Sequence, residues 1–439
     1  MSLFRNKIHP SFAPETMSGY FENTGLFKNS KICNAPYTGL YFTPEGLIKP
    51  CCAHADLYSY GCYPEVSIHD ALTSVNRKLL QKHMNNNSLA FGCQPCLNNI
   101  SSGNYRGSIS SLYKKSSTGK YTEVIDFELS HFCNLNCIMC YLHTDVQADN
   151  EIYGDKFLED IKPYLSDTLT SRFYGGEPFL INTYYRIWEF LAQNNPKCQV
   201  HIQTNGTVFN RNIESLLNKL NVFLGVSIDA ISPSLYEKIR KGADYNKVME
   251  HTRLFNEVMQ SQGKSLTLSF CPMPLNWQEI PAIFEFADTL RCILFFNTVM
   301  YPVDFSFGYL HSTAIAKIAN ELERFKLQRS DNPHQSENFR NLQNFIRGLF
   351  ALSEENGKIE LEFQPMALHK FLAEFVILTG DKSLVSDLED LMAPFDKNMA
   401  VSPYLQAHFK QLSRQERIFL INKIVKNKDI AYLKNIFHS

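Results

Sequence analysis

Three cysteines fall within eight residues in the stretch Cys133-Asn134-Leu135-Asn136-Cys137-Ile138-Met139-Cys140. This C-x3-C-x2-C spacing offers three thiolates in one short loop. A four-iron cluster takes four ligands, so three thiolates leave one iron open to bind another molecule. Zinc sites usually pair two C-x2-C knuckles, or one knuckle with histidines, and neither pattern completes this loop. The spacing therefore favours an iron–sulfur cluster over zinc or plain buried thiols, and three clustered cysteines cannot all pair as disulfides among themselves.

The flanking sequence places this loop at the end of a strand. Residues 124–129 alternate apolar and polar side chains, as a half-buried strand does. Residues 172–178 read Arg-Phe-Tyr-Gly-Gly-Glu-Pro, in which two adjacent glycines allow a ligand to approach the backbone closely. On its own, this second segment is as well explained by an ordinary turn. The cysteine loop after one strand and Gly-Gly-Glu-Pro after the next together resemble the radical S-adenosylmethionine (radical SAM) enzymes.

Strand-like runs recur further along the chain, with helical stretches between them, as a parallel α/β sheet requires. Strands are predicted at 199–203, 222–228, 266–271 and 292–299, and helices at 155–165 and 213–220. With the two strands before the motifs they make six, the number in the partial (β/α)6 barrel of the family that the sequence resembles. Active sites of such sheets lie at the carboxyl ends of the strands.

Within this resemblance, the three clustered cysteines are the cluster ligands. Cys133, Cys137 and Cys140 would bind a [4Fe–4S] cluster whose open iron chelates the amine and carboxylate of S-adenosylmethionine. Many members of the family carry an aromatic residue just before the third cysteine, whereas this chain has Met139 there. The backbone at this position would still meet the adenine, so we interpret the difference as tolerated variation.

Four residues at strand ends match segments that bind the methionine part of the cofactor or lie beside it. Gly175, Gly176 and Glu177 resemble the segment that hydrogen-bonds the methionine amino group. Asn205 lies in a Gln-Thr-Asn-Gly sequence that resembles a recurring strand-end motif of the same subgroup.

Two more residues match cofactor contacts of relatives. Ser227 resembles a serine that contacts the ribose, and Arg240 an arginine that pairs with the methionine carboxylate. The planar fork of a guanidinium suits a carboxylate better than a lysine ammonium does. Both residue types are also common in turns and at helix ends, which is the alternative explanation for each.

A second group of cysteines precedes these strands. Residues 41–48 predict a hairpin that brings Cys33 and Cys51 together, and Cys93 and Cys96 form a C-x2-C knuckle. From these residues alone, zinc and a second iron–sulfur cluster are almost equally plausible.

The spacing of Cys33, Gly46 and Cys51 resembles the opening of the SPASM/twitch auxiliary-cluster modules. Those modules usually follow the barrel, whereas this one precedes it and lacks the later cysteines of a two-cluster module. The resemblance therefore implies one auxiliary cluster, with Cys52 as a neighbour or alternate ligand. The expected ligands are Cys33, Cys51, Cys93 and Cys96.

The remaining four cysteines stand alone in the sequence. For Cys62, Cys198 and Cys292 we expect buried structural thiols. Cys271 ends a predicted strand and is a candidate for a residue that faces the substrate.

Composition limits the class of protein. The chain has 439 residues and 12 cysteines. Its net charge is −1, from 43 basic and 44 acidic residues, so the protein has no overall positive field that would attract nucleic acid. No apolar run approaches the ~18 residues of a membrane-spanning helix, and residues 1–30 lack the apolar core of a signal peptide. Many cysteines without a secretory signal indicate metal or redox chemistry in a reducing compartment. We therefore expect a cytoplasmic protein with neither a membrane nor nucleic acid as partner.

The chain is expected to divide into four regions. These are a loosely ordered N-terminal segment (1–30), a small cysteine-rich twitch/SPASM-like module (31–120), the radical SAM partial barrel (121–309) and a mostly helical C-terminal subdomain (310–439). Helices are predicted at 67–84 in the module and at 312–325 in the C-terminal subdomain, where a capping box at 413 indicates the start of another helix.

The resemblance implies an enzyme that cleaves S-adenosylmethionine reductively and uses the 5′-deoxyadenosyl radical to abstract a substrate hydrogen. It implies modification of a peptide or protein, and an electron donor such as flavodoxin or ferredoxin. One alternative is a small-molecule radical SAM dehydrogenase or epimerase. A non-catalytic iron–sulfur or zinc-binding protein is the other, and it leaves Gly-Gly-Glu-Pro unexplained.

Overall fold

The structure is a computed structural model that describes residues 8–25, 30–101, 103, 105, 108–113, 122–140, 151–299, 302–326, 330–362, 366–367, 400–401 and 403–411. The chain divides into two compact units. The first comprises Met1–Asn136, Leu142–Ser227 and Arg240–Leu268, and the second comprises Cys137–Tyr141, Ile228–Ile239 and Ser269–Ser439.

Helices and strands alternate through most of the described chain. The helices are α1 (Pro14–Thr24), α2 (Ala35–Thr38), α3 (Ile68–Thr73), α4 (Val75–Asn85), α5 (Gln94–Ser101), α6 (Asp155–Leu165), α7 (Asn182–Asn194), α8 (Arg211–Leu217), α9 (Pro233–Ile239), α10 (Tyr245–Ser261), α11 (Ile280–Leu290), α12 (Ser312–Glu323), α13 (Gln335–Glu362) and α14 (Pro403–Gln411). The strands are β1 (Gly39–Phe42), β2 (Leu47–Lys49), β3 (Gly61–Cys62), β4 (Val124–Phe127), β5 (Asn136–Cys137), β6 (Thr170–Phe173), β7 (Gln199–Thr204), β8 (Asn221–Ser227), β9 (Arg240–Lys241), β10 (Thr267–Phe270), β11 (Ile293–Phe296), β12 (Met366–Ala367) and β13 (Ala400–Val401).

The sheet of the first unit follows from the predicted alternation. Within the described residues its strand order is β3-β2-β1-β4-β6-β7-β8, and the pairs from β1–β4 to β7–β8 are all parallel. All six strands expected from the sequence are present in the described chain, as β4, β6, β7, β8, β10 and β11. The protein therefore has the expected α/β fold with a mostly parallel sheet.

The apolar face of this sheet packs against helices. Phe127, Phe173, Ile202 and Leu224 occupy matched register positions on β4, β6, β7 and β8, and each is at most 2% exposed. The ring of Trp188, on α7, contacts Phe173 with 5.3 Å between ring centroids. Alternation with a period of two puts these side chains on one face, because neighbouring residues of a strand point to opposite faces.

The N-terminal region differs from the expected separate module. The hairpin of β1 and β2 is present, with Phe42 opposite Ile48, which confirms that prediction. However, β1 also pairs in parallel with β4, and Phe42 stacks on Phe127 with centroids 5.8 Å apart. Strands β1, β2 and β3 and the parallel strands thus share one sheet, because the β1–β4 pairing crosses the expected boundary at residue 120.

The described residues 8–25 of the expected N-terminal segment contain a helix instead of loosely ordered chain. This helix is α1, whose Tyr20 is fully buried and donates a hydrogen bond to the Ile32 carbonyl. An apolar side chain every three to four residues, at Met17, Tyr20 and Phe21, packs this helix onto the unit.

Helix α6 has the predicted bounds, whereas the helix expected at 67–84 is two helices. Ser74 ends α3 and begins α4, where its side chain accepts a hydrogen bond from the Arg77 N–H at 3.2 Å. A serine that caps a helix competes with continuation of the helix through it, which explains the break.

The second unit contains the last two residues of β10 and the neighbouring strand β11, followed by α12 and α13. The Glu360 carboxylate, near the end of α13, accepts hydrogen bonds from the Ser312 N–H and hydroxyl, each at 2.8 Å. The predicted linker at 116–120 and the capping box at Ser413 lie outside the described residues. Among the described residues, no helix combines the length and apolar character needed to cross a membrane.

Truncating the buried aromatic layer should destabilise the first unit selectively. We expect Phe173→Ala to lower the free energy of unfolding by about 3–5 kcal/mol, because the ring is fully buried among three other rings. Phe223→Ala, on the same sheet but 42% exposed, should cost less than about 1 kcal/mol. Urea denaturation followed by circular dichroism measures both, and equal losses would contradict the assignment of the two faces.

Candidate functional site

The first cysteine of the loop lies at the carboxyl end of the parallel sheet. Asn205, directly after β7, donates from its side-chain amide to Cys133 Sγ at 3.5 Å and to Asn134 Oδ1 at 3.0 Å. Carboxyl ends of neighbouring parallel strands meet at one edge, which is why residues 72 positions apart come together here. The structure therefore brings two predicted site residues, Cys133 and Asn205, into direct contact.

The other two cysteines of the loop belong to the second unit. The Cys140 N–H donates to the Cys137 carbonyl at 3.0 Å, which closes a turn, and the Ile138 N–H donates to the Ile239 carbonyl at 2.9 Å. All three thiols of the loop are partly exposed.

The Gly-Gly-Glu-Pro segment packs along the chain that leads into Cys133. The Gly176 N–H donates to the Ser130 carbonyl at 2.9 Å, and the Glu177 N–H donates to the Phe132 carbonyl at 2.8 Å. A Cβ on Gly176 would overlap the carbonyl of Phe132. Glycine is therefore required at 176 because the two backbones touch at this point.

The Glu177 carboxylate is directed into the protein. It is fully buried and accepts hydrogen bonds from Thr204 Oγ1 and the Asn205 N–H, both at 2.7 Å, and from the Phe179 N–H at 3.2 Å. This side chain thus links the carboxyl ends of β6 and β7 and positions Asn205 beside Cys133.

Burial determines the charge state of this carboxyl group. Desolvation raises the pKa of Glu177 from its ordinary 4.5 to about 7, although its three hydrogen bonds and the Arg240 guanidinium favour the ionised form. Arg240 is itself only 5% exposed.

The other residues predicted from the sequence, Ser227 and the cysteines outside the two groups, lie at different positions in the structure. Ser227, at the end of β8, accepts a hydrogen bond from Gln203 Nε2 at 2.8 Å. Cys271, in the second unit, is partly exposed, and its N–H donates to Asp229 Oδ1 at 2.7 Å. Of the cysteines expected to be buried, Cys198 and Cys292 are, whereas Cys62 is only partly so.

The second cysteine group surrounds a small cavity in the first unit, which we call the thiol cavity. Its remaining wall is mostly apolar, including Leu80, Met84 and Leu89. Cys52 does not line it, although this residue lies within electrostatic range of Cys96 as well as of Asp126 and Arg172. The four thiols of the wall are those of Cys33, Cys51, Cys93 and Cys96.

These thiols oppose one another's ionisation. Burial raises the pKa of Cys33 to about 12, with a further contribution from Cys96. Burial, followed by repulsion from neighbouring thiols, also raises the pKa of Cys51 and Cys93 well above its ordinary value. A bound cation reverses this balance, because metal coordination deprotonates a thiol. The donor set therefore fits a metal centre.

The donor types fit more than one kind of metal centre, because thiolates bind both zinc and iron–sulfur clusters. In the described part of the chain, no group of three or more His, Cys, Asp or Glu side chains is arranged to hold a single metal ion.

His54 is a residue of this cavity that the sequence analysis missed. It lines the wall with the four thiols, and burial lowers the pKa of its imidazole to about 4. The only signal in the sequence was its place three residues after Cys51, which does not separate it from an ordinary core histidine.

Comparison with known proteins gives one family match. Residues 127–287 match the sequence model of the Radical SAM superfamily. The matched segment contains the Cys133 loop, Gly176, Asn205 and Ser227.

Relatives with assigned names match different shares of the chain. A probable GTP 3′,8-cyclase of Methanocaldococcus jannaschii is 24% identical over 70% of this chain and 99% of its own. The subtilosin biosynthesis protein AlbA of Bacillus subtilis is 28% identical over 26% of each chain. A cysteine-type anaerobic sulfatase-maturating enzyme of Clostridium novyi is 28% identical over 28% of this chain and 37% of its own.

In other matches, this chain aligns with only part of the related protein. The chain spans 37% of an uncharacterised M. jannaschii protein, with 32% identity over 24% of this chain. Among solved structures, anSMEcpe with bound AdoMet is similar with a TM-score of 0.38 and 21% identity, over 46% of this chain and 58% of that one.

The contact between Gly176 and Phe132 should be intolerant of any side chain. We expect Gly176→Ala to lower the free energy of unfolding by about 1–3 kcal/mol or more. The Cβ of the new alanine would overlap the Phe132 backbone, which cannot rotate away as a side chain can. Gly348→Ala is the control: it lies within α13 with nothing within 4 Å of the added Cβ, and should be neutral or slightly stabilising. Thermal melting compares the two, and similar melting temperatures would refute the close approach.

The buried carboxyl of Glu177 should make stability depend on pH. The pKa of Glu177 is higher in the folded protein than in the unfolded chain, so between these values the folded protein binds more protons. The contribution of Glu177 to the free energy of unfolding therefore falls as the pH rises from 4.5 to about 7. The full difference is about 3 kcal/mol, at about 1.4 kcal/mol per pKa unit.

Glu177→Gln removes this titration, so its stability should vary less with pH across that window, even if it is lower throughout. Urea denaturation of both proteins at several pH values measures the slopes. Parallel curves would show that Glu177 is ionised throughout.

Proposed function

Because the chain contains a radical SAM domain, we propose that it cleaves S-adenosylmethionine reductively and abstracts a hydrogen atom from a peptide or protein substrate. The protein is an enzyme of the radical SAM type, whose cofactors are a [4Fe–4S] cluster and S-adenosylmethionine. The reaction, its substrate and its partners are what we propose.

The observation that carries the proposal is the junction of Cys133, Gly176 and Asn205 at the carboxyl end of the sheet. A thiol and a bare backbone segment meet there, together with the buried Glu177 carboxylate, which accepts a hydrogen bond from the Asn205 N–H. This is the edge at which α/β sheets hold their ligands.

In the proposed site, Cys133, Cys137 and Cys140 bind the [4Fe–4S] cluster. When bound, the reduced cluster supplies the electron that divides S-adenosylmethionine into methionine and a 5′-deoxyadenosyl radical. The chain's own contribution is to orient the cofactor and exclude water from the radical.

We assign the cofactor contacts to residues at the strand ends. The backbone of Gly175 and Gly176 receives the methionine amino group, with Glu177 holding that segment in place. Ser227 contacts the ribose, and Arg240 the methionine carboxylate. The short Gln203–Ser227 hydrogen bond supports this role, since it keeps the hydroxyl at the strand end.

We place one auxiliary iron–sulfur cluster in the thiol cavity, with ligands drawn from Cys33, Cys51, Cys93 and Cys96. The mutual proximity of the four thiols, their apolar surroundings and a spacing that resembles the opening of an auxiliary-cluster module support this assignment. Its role would be to accept an electron from the substrate radical, or to anchor the substrate.

The names of two relatives support a peptide or protein substrate. One takes part in bacteriocin biosynthesis and the other matures sulfatases. A small-molecule substrate is the second candidate, because the match to a probable GTP cyclase extends over 70% of this chain. A flavodoxin or ferredoxin would supply the electron in either case.

The test is formation of 5′-deoxyadenosine by anaerobically reconstituted, dithionite-reduced protein. We expect product from the unchanged protein and at least a hundredfold loss in Cys137→Ala. Cys198→Ala is the matched control: that thiol is buried against Ser171, outside both cysteine groups, and its loss should leave the product yield unchanged.

Two outcomes would decide against the proposal. Protein with a full iron content that forms no 5′-deoxyadenosine, with a short cysteine- or serine-containing peptide or with GTP present, would exclude the radical chemistry. Stimulation by GTP and not by peptides would select the small-molecule candidate.

A further inference from the structure

His54 forms part of the wall of the thiol cavity, together with the four thiols. It follows Cys51 and Cys52 closely in sequence, and the imidazole is only 2% exposed. A buried imidazole needs partners for both ring nitrogens, because an unsatisfied buried polar atom costs about 1–3 kcal/mol.

One edge of the ring has a partner that fixes its orientation. His54 Nε2 lies 3.2 Å from the carbonyl oxygen of Phe91. A carbonyl only accepts, so Nε2 carries the hydrogen. In a neutral ring the other nitrogen, Nδ1, then presents a lone pair.

The backbone at Gly92 holds the ring in this position. Gly92 has φ +72°, and a Cβ there would lie 2.8 Å from His54 Nε2. The Ala55 N–H donates to the Gly92 carbonyl at 2.9 Å, which ties the loop after Cys51 to the loop before Cys93. The Nε2 edge therefore stays against residues 91–92, and Nδ1 lies away from them.

Nδ1 has no hydrogen-bond partner among the described residues, although it is buried. Histidines that bind metals show this arrangement: the second ring nitrogen donates to a carbonyl or carboxylate and fixes the tautomer that leaves the first free to coordinate. The orientation of His54 is thus that of a ligand directed away from its supporting carbonyl.

Cys93 lies beside His54 in the wall of the thiol cavity, and both contact the Phe91 carbonyl. Its Sγ lies 3.5 Å from the same Phe91 carbonyl, and it is partly exposed, whereas Cys33, Cys51 and Cys96 are buried. The Cys93 thiol thus donates to the carbonyl that also holds the Nε2 edge of His54, whereas Nδ1 lies at the opposite edge of the ring.

We propose that His54, through Nδ1, is an iron ligand of the auxiliary cluster, with Cys33, Cys51 and Cys96 as the three thiolates and Cys93 beside it unbound. This inference rests on the auxiliary cluster of the proposed function. A neutral nitrogen in place of a thiolate lowers the negative charge of the centre, which raises its reduction potential and suits an electron acceptor.

The experiment isolates the auxiliary cluster by combining Cys133→Ala, Cys137→Ala and Cys140→Ala in the full chain. After anaerobic reconstitution and reduction, pulsed electron paramagnetic resonance of protein labelled with ¹⁵N-histidine should show a strongly coupled, directly bound ¹⁵N nucleus. That readout needs no substitution at His54.

Variants in this background assign the nitrogen. His54→Gln should abolish the coupling, and His54→Cys should lower the midpoint potential because a thiolate replaces the nitrogen. His83→Gln is the matched control: its ring also stacks on Phe91, at 5.4 Å, but its Nδ1 lies 3.1 Å from Ser88 Oγ, so the coupling should remain.

The outcomes separate this inference from the proposed function. Absence of histidine coupling in a cluster-loaded protein, or loss of the cluster in Cys93→Ala but not in His54→Gln, would overturn the histidine ligand and leave the auxiliary cluster standing. Triple-alanine protein that takes up no iron, or takes up zinc, would overturn the histidine ligand and the auxiliary cluster together; the cleavage of S-adenosylmethionine is tested separately, in the unchanged protein.

Discussion

Strand β4 is hydrogen-bonded on both sides, to β1 and to β6, and the arrangement of the first unit depends on this double pairing. Its β1 neighbour leads through the hairpin to Cys51, and its own carboxyl end leads to Cys133. Its β6 neighbour leads to Gly176, whose backbone contacts the carbonyl of Phe132. One strand therefore organises the chain entering both cysteine groups, and they belong to a common fold instead of separate modules.

Both candidate sites hold ionisable groups in surroundings that disfavour their charge. The thiols of Cys33 and Cys51 and the carboxyl of Glu177 are buried, and desolvation is the main cause of the raised pKa of each. Such groups weaken a fold unless a ligand or proton compensates them. For the thiols, a cationic centre is the compensation that the donor set suits. For Glu177, three hydrogen bonds from the ends of β6 and β7 offset part of the penalty and fix Asn205.

Periodicity and spacing predicted the local structure well and the long-range pairing poorly. The strands of the parallel sheet, the hairpin at residues 41–48 and helix α6 follow from alternation and helical spacing, which are properties of neighbouring residues. Pairing of β1 with β4 joins residues 85 positions apart, Gly39 with Val124, and no local pattern encodes it. His54 was missed for a related reason: its role depends on a carbonyl 37 residues away, at Phe91.

The ion pair of Asp126 with Arg172 illustrates what a buried charge pair contributes to such a sheet. The two residues are register partners on β4 and β6, and both guanidinium contacts are short, at 2.5 and 2.7 Å. A buried pair of this kind adds little net stability, because desolvation offsets the attraction. A slip of one residue, however, would turn one partner to the other face of the sheet and leave the second charge buried alone. The pair therefore fixes the register of β4 against β6, and that register sets Gly176 against Phe132 and the Glu177 carboxylate beside Asn205.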